Sequence, residues 1–270
     1  MKKIALAVVL SLAVILSTIS VAWAITNGQP DNGAHPYVGL AVFDDADGPA
    51  WRCSASLLTP TVVLTAGHCT DGAVAARVWF DEVVQGNPEY PFSGVTSYDG
   101  TPITFPDFCI GCAGNAGLPG FAAGDVGIIV LTEAVPTSAV STYAALPAEG
   151  LVDTLANKTP VDLVGYGVTN QNIGGGPPTW TGLKNRLYAP TELVSGEFVH
   201  SDTFMKLALN PGGGSGGTCF GDSGGPDLLG GTNTVLAVNS YVTNSNCSGV
   251  GYSFRVDTPS VLSWINGFLP

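Results

Sequence analysis

Short runs of β-favouring residues, each halted within a few positions by Gly, Pro, Asn or Asp, constrain this chain more than any other feature. Tyr37–Phe43, Thr61–Thr65, Val126–Leu131, Val161–Val164 and Val235–Val238 recur with a rhythm that suits an all-β sandwich or barrel. Composition agrees. With 45% hydrophobic and only 11% charged residues, 36 glycines and 19 prolines, the chain is compact and turn-rich rather than disordered. Its 270 residues allow one large domain or two small ones. Ala134–Thr159, rich in Ala, Pro and Ser, is the candidate linker between two halves. The clearest helix signal is terminal: Asp257-Thr258 offers a cap, Pro259 suits the first turn, and Val261, Leu262, Ile265 and Phe268 share one face.

Residues 1–24 read as a signal peptide outside the fold. Lys2 and Lys3 precede the apolar stretch Ile4 to Ile15, and Ala22-Trp23-Ala24 supplies small residues for cleavage. A retained membrane anchor is the alternative, but the stretch is short against the ~20 residues a span needs. The expected localisation is therefore secreted, which makes pairing the default for the six cysteines. Composition alone does not choose among the pairings. The formal charge of −12 argues against nucleic acid and anionic membranes, which require clustered Lys and Arg.

Chemistry concentrates in Gly221-Asp222-Ser223-Gly224-Gly225-Pro226. A serine between glycines fits a tight turn that exposes its hydroxyl. As Gly-x-Ser-x-Gly it also fits the elbow of an α/β-hydrolase, but that fold needs a histidine downstream, and the chain's three, His35, His68 and His200, all precede Ser223. A serine hydroxyl needs a base. His68, in Thr65-Ala66-Gly67-His68-Cys69, follows an apolar run and adjoins a cysteine, whereas His35 and His200 lie in segments without such a setting. The base in turn needs a buried carboxylate. Asp125, in Gly124-Asp125-Val126-Gly127-Ile128, enters a strongly apolar strand where an unpaired charge is costly; by itself it reads better as a turn residue before a strand, but together with the other two segments it does not.

These segments, in the order His, Asp, Ser, resemble the trypsin and chymotrypsin family of serine peptidases over essentially all of residues 25–270. Cys53-Ser54-Ala55-Ser56-Leu57-Leu58, Gly165-Tyr166-Gly167 and Gly251-Tyr252-Ser253-Phe254-Arg255-Val256 are similar to further stretches of that family. The resemblance implies two six-stranded antiparallel β-barrels: about 25–145 with His68 and Asp125, about 146–256 with Ser223, and a C-terminal helix over 257–270. It implies a serine endopeptidase with His68, Asp125 and Ser223 as catalytic triad and an oxyanion hole from the Gly221 and Ser223 N–H groups. It also implies disulfides Cys53–Cys69 and Cys219–Cys247, leaving Cys109 and Cys112 to each other, a local bridge being favoured over a redox or zinc half-site.

By the same resemblance, Ile25 would supply an N-terminal amine that pairs with Asp222, exposed by signal removal itself. Gly217 matches the pocket-base position where an acid would select Arg or Lys in the residue whose carbonyl is cut (P1). Tyr241, Val242 and Gly251 match the pocket wall, and Val242 would narrow its entrance towards small or medium aliphatic residues. The expected partners are protein or peptide substrates, with a monomer as default. No cofactor and no metal are expected, since Asp81-Glu82 lacks calcium-site spacing. The competing readings are a non-catalytic binding protein and a serine esterase on the same scaffold.

Overall fold

The computed structural model describes residue 25 and residues 28–112, 122–168, 170–172, 179–181, 184–195, 203–209, 216–242, 244 and 247–270. The expected signal peptide, His200 and most of the glycine-rich patch at 212–217 lie outside the described residues. In chain order, β1 (Gln29–Pro30) precedes β2 (Val38–Asp45), β3 (Gly48–Thr59), β4 (Val62–Thr65) and the short helix α1 (Gly67–Thr70). Then come β5 (Ala75–Trp79), β6 (Ser97–Thr104), β7 (Cys109–Ile110), β8 (Ala122–Ala123) and β9 (Gly127–Leu131). The second half holds β10 (Pro160–Gly165), β11 (Asn170–Asn172), β12 (Thr179–Thr181), β13 (Leu187–Ser195) and β14 (Phe204–Leu209). It ends with β15 (Pro226–Leu229), β16 (Val235–Val242), β17 (Gly249–Arg255) and helix α2 (Pro259–Asn266).

Strands β2-β3-β4-β9-β6-β5 close into a six-stranded antiparallel barrel. Strands β13-β10-β15-β16-β17-β14 make the second, closed by β13 pairing with β14. Closure leaves no open sheet edge within either barrel. Alternating inward side chains fill each one: Leu40, Leu57, Val63 and Ile128 in the first cluster, Val161, Leu163, Leu207 and Leu236 in the second. Residues between β9 and β10, read as a linker, are anchored by buried Val135, Val140 and Val152. The chain ends cross over: Gln29–Pro30 pairs with Tyr188–Leu187 of the second barrel, while Trp264 of α2 packs edge-on against Phe105 of the first half, ring centres 5.2 Å apart.

Helix α2 begins where Pro259 allows, with Thr258 as N-cap, and buries Val261 and Ile265. Of the expected Asp257-Thr258 pair, Thr258 holds the N-cap position without a side-chain bond, and Asp257 does not serve the helix end. Its carboxylate instead takes the Arg255 guanidinium at 2.8 and 2.9 Å and the Val152 N–H at 2.7 Å, because a buried guanidinium outcompetes a solvent-facing helix end.

The second barrel carries one unexpected acid. Asp227 on β15 is fully buried and pairs in register with Ala237, with no cation to pair with among the described residues and the Ser253 hydroxyl as the polar group that favours its charged form. Burial pushes its pKa up to about 8; the Ser253 hydroxyl offsets only part of this. The native state therefore keeps a proton that the unfolded chain releases above 3.8, so this group lowers stability as pH rises from 3.8 to about 8. Asp227→Asn should flatten that slope. Urea midpoints of wild type and variant at pH 5 and pH 8 check it: the difference must grow towards pH 8 in the variant's favour.

Candidate active site

His68 is delivered by the turn from β4 into α1, and the Cys53–Cys69 disulfide ties that turn to β3. The indole N–H of Trp51 donates to the Cys69 carbonyl at 2.8 Å, fixing the same corner from outside. Asp125 lies between β8 and β9 and is completely buried. Its Oδ1 accepts the His68 backbone N–H at 2.8 Å, and its two oxygens stand 3.0 and 2.9 Å from His68 Nδ1. Ser240 Oγ also donates to Oδ2. A carboxylate only accepts, so Nδ1 carries the proton and Nε2 is left as the basic nitrogen. Burial pulls the imidazole pKa down, but the charge and hydrogen bond of Asp125 outweigh it, and the net shift is upward from 6.5.

Ser223 comes from the second barrel, on the loop before β15 that the Cys219–Cys247 disulfide fastens to the segment before β17. Ser54 of β3 holds this loop from the first barrel. Its N–H donates to the Ser223 carbonyl at 2.8 Å, and its hydroxyl donates to the Gly221 carbonyl at 3.0 Å. That hydroxyl also accepts the Tyr166 N–H at 2.9 Å. At Gly224, with φ +74°, a side chain would run into Thr65, so glycine alone lets the loop sit this close. Among the described residues, the N–H groups of Gly221 and Ser223 donate to no protein acceptor, leaving two adjacent donors for an incoming oxygen.

Ser223 lines a pocket with Thr218, Cys219, Phe220, Asn239 and β16 residues Ser240 to Val242. His68 and Asp125 line a neighbouring cavity, and the two share Ser240 and Tyr241. Among the described residues, Ser223 Oγ makes no direct hydrogen bond to His68; such bonds often tighten only when substrate arrives. Cys53, His68 and Cys69 also cluster closely enough for a metal, but both sulfurs are spent in the disulfide.

The family model of trypsin matches residues 25–265. The chain belongs to the trypsin family. It is 28% identical over 262 residues to chymotrypsin-like elastase family member 1 of Bos taurus, covering 89% of this chain and 92% of that protein. Serine protease 1 of Drosophila melanogaster is 26% identical over 255 residues, covering 91% and 83%. The solved structure of HL collagenase superposes with a TM-score of 0.67 at 21% identity, covering 93% of this chain and 99% of that one, and shares the fold. The chain is thus a serine endopeptidase of the trypsin family.

Within this trypsin-family pocket, the expected wall residues Tyr241 and Val242 are present, but Gly217 and Gly251 are not. Gly217 has no side chain and is buried behind Thr218; Gly251 is buried where β17 pairs with Val242, its open position facing Leu209. Sequence reasoning missed Thr218 and Asn239, since polar residues in a strand and a loop carry no local mark of lining a pocket. Ser54 was legible only as a small residue in a strand. Asp222 is buried, accepts N–H bonds from Gly167 and Cys219 at 2.8 and 2.9 Å, and makes no ion pair among the described residues. Burial raises its pKa to about 7. Ile25, joined to Ala24 in this chain, is buried against the second core.

Ser54→Ala should strand the buried Tyr166 N–H and the Gly221 carbonyl, costing about 1–3 kcal/mol of stability. Equilibrium denaturation checks this, and kcat should fall with it because the Ser223 loop loses its first-barrel support.

Proposed function

We propose that this chain is a secreted serine endopeptidase that cuts peptide bonds through an acyl-enzyme on Ser223. The observation that carries the reading is the doubly oriented His68–Asp125 pair, 2.9 Å apart, beside the pocket that Ser223 lines. Ser223 Oγ attacks the substrate carbonyl carbon and forms a C–O bond while His68 Nε2 takes its proton. The oxyanion turns to the Gly221 and Ser223 N–H groups, worth ~10²–10³ in rate per donor. His68 then gives its proton to the leaving amine as the C–N bond breaks. Water enters, surrenders a proton to His68, and releases the acyl group, and Ser223 regains its hydrogen. Asp125 stays ionised throughout and stabilises the imidazolium.

Secretion is supported by the leader-like residues 1–24 and by three disulfides among the described residues, where no helix is long and apolar enough to cross a membrane. Among the described residues the pocket has no acidic lining residue, which disfavours Arg and Lys at P1, and Val242 on its wall favours small or medium aliphatic side chains. Relatives named as elastases are consistent with that choice. Cleavage before Ile25 would create an ammonium close to the second core, free to pair with Asp222, so that removal of the leader is the activating step. The working unit is a monomer acting on protein or peptide substrates, without cofactor.

Four measurements test this reading. On a mixed peptide library, the secreted form should make cuts that Ser223→Ala does not, mostly after small or medium aliphatic residues; dominance of Arg or Lys cuts would overturn the specificity. N-terminal sequencing should return Ile25, and a start at Trp23 or earlier would refute activation by leader removal. Because neutral His68 is the active form and its pKa is held above 6.5, kcat/KM should rise through a pH above that value. Asp125→Asn should lower kcat by about 10⁴-fold, a magnitude taken over from related triads.

A further inference from the structure

The loop between β5 and β6, residues 80–96, takes no part in the mechanism above, yet it is held more firmly than a passive connection requires. Arg77 Nη1 donates to the Pro91 carbonyl at 2.8 Å, Glu89 Oε2 accepts the Val95 N–H at 2.8 Å, and Ser97 Oγ accepts the Gly94 N–H at 2.7 Å. The Phe92 N–H is spent on the Glu89 carbonyl at 2.7 Å. Held this way, the loop turns Phe92 and Val95 outward, 62% and 91% exposed. Burial of such side chains is favourable, so a rigid pair of them in water is an apolar surface still without a cover. Its fixed geometry lowers the ordering cost of binding there.

Val95 also edges a cavity of about 340 Å³ whose other walls include Tyr98, Asp99, Thr132 and Glu133. Both acids are exposed. Asp99 Oδ1 takes the Ser93 hydroxyl at 2.6 Å and lies 3.7 Å from Arg77 Nε, which leaves Oδ2 without a donor among the described residues. Glu133 makes no ion pair among them. An occupant must therefore bring apolar groups to Phe92 and Val95 and positive charge to the cavity. A second copy of this chain, with 21 acids against nine cations, does not offer that charge. A cationic, apolar stretch of a protein substrate does. Strand β9 runs from the Asp125 end of the first barrel to the cavity, a distance of roughly 17 Å that about five extended residues span.

We propose that Phe92, Val95, Asp99 and Glu133 form a docking surface, outside the catalytic cleft, for segments of protein substrates that combine Lys or Arg with large apolar side chains. The proposal rests on the endopeptidase reading, and a binding measurement separates the two. In fluorescence anisotropy, a labelled Lys/Leu peptide should bind the secreted Ser223→Ala protein about tenfold or more tightly than its Glu/Leu counterpart, and salt should narrow the gap. Glu133→Lys and the Phe92→Ser/Val95→Ser double variant should each remove most of that gap. Glu149→Lys, the same charge change on an exposed residue between β9 and β10, should leave it. In turnover, a short cleavable peptide joined to the Lys/Leu segment by a flexible linker should gain about tenfold in kcat/KM, through KM, from raised local concentration. The short peptide alone should be cut equally by wild type, Glu133→Lys and the double variant, which a folding defect would not allow. Binding that Glu149→Lys weakens as much as Glu133→Lys, binding that neither loop variant weakens, or no gain on joining the segment overturns the proposal and leaves the peptidase standing. Binding lost on Glu133→Lys, in a protein whose wild type cuts neither peptide, overturns the peptidase reading alone.

Discussion

A nucleophile on one barrel and a base on the other work only if the barrels cannot slide, and Ser54 sits where that is decided. From β3 of the first barrel it bonds the carbonyls of Ser223 and Gly221 and takes the N–H of Tyr166, all three on the second. Thr65 Oγ1, at the end of the strand that delivers His68, donates back to the Ser54 carbonyl at 3.0 Å. One residue thus references the nucleophile loop to the strand carrying the base. Ser54 thereby holds the carbonyls of Gly221 and Ser223, whose N–H groups meet no protein acceptor among the described residues.

The seam is reinforced by a charge that has been fully neutralised. Arg186 is buried and directs Nε to Asp31 at 2.8 Å, while its Nη1 reaches the carbonyls of Val38 and Phe80 at 3.0 Å and the Tyr166 hydroxyl at 3.2 Å. Asp31 is saturated in turn by His35, with Nδ1 at 2.5 Å. Burial works against the Asp31 carboxylate, but His35 and Arg186 outweigh it and hold its pKa below the ordinary value. From just before β13 of the second barrel, this guanidinium satisfies two carbonyls of the first, Val38 on β2 and Phe80 just after β5, a task for which an apolar residue has no donors. His35, read from sequence as an ordinary histidine, finds its place in this network and stacks on Tyr188.

What was legible in the sequence was whatever is local. Val62–Thr65, Gly127–Leu131 and Pro160–Gly165 fall where alternation and turn residues put strands, and Pro259 opens the final helix. Asp125 alone read as a turn residue before a strand, and its approach to His68 was expected only once the His, Asp and Ser segments were taken together with the family resemblance. Ser54, Asn239 and Arg186 were not legible, because each acts on partners over a hundred residues away or through a backbone carbonyl, and neither leaves a pattern in neighbouring residues. Of the Asp257-Thr258 pair, Thr258 takes the cap position while the Asp257 carboxylate is held by Arg255 two residues before it. Gly217 was placed by counting from Ser223, and its neighbour Thr218, which lines the pocket, was not picked out.

The chain carries few charges, so a buried carboxylate without a cation is informative about what the fold is prepared to accept. Asp222 is oriented by two N–H groups, and Gly165 and Gly167 leave room around it that any side chain would fill. Its desolvation is therefore already met by folding. An ammonium created at Ile25 would bring its own desolvation cost but find the partner in place. Ile25 is already packed with Leu163 and Leu187, so its side chain anchors the segment before any amine exists. Pairing would then lower the Asp222 pKa from about 7, ionise it fully at neutral pH, and lock the residue next to Ser223. In this arrangement the energy for ordering the nucleophile loop comes from neutralising a charge that the barrel has already buried.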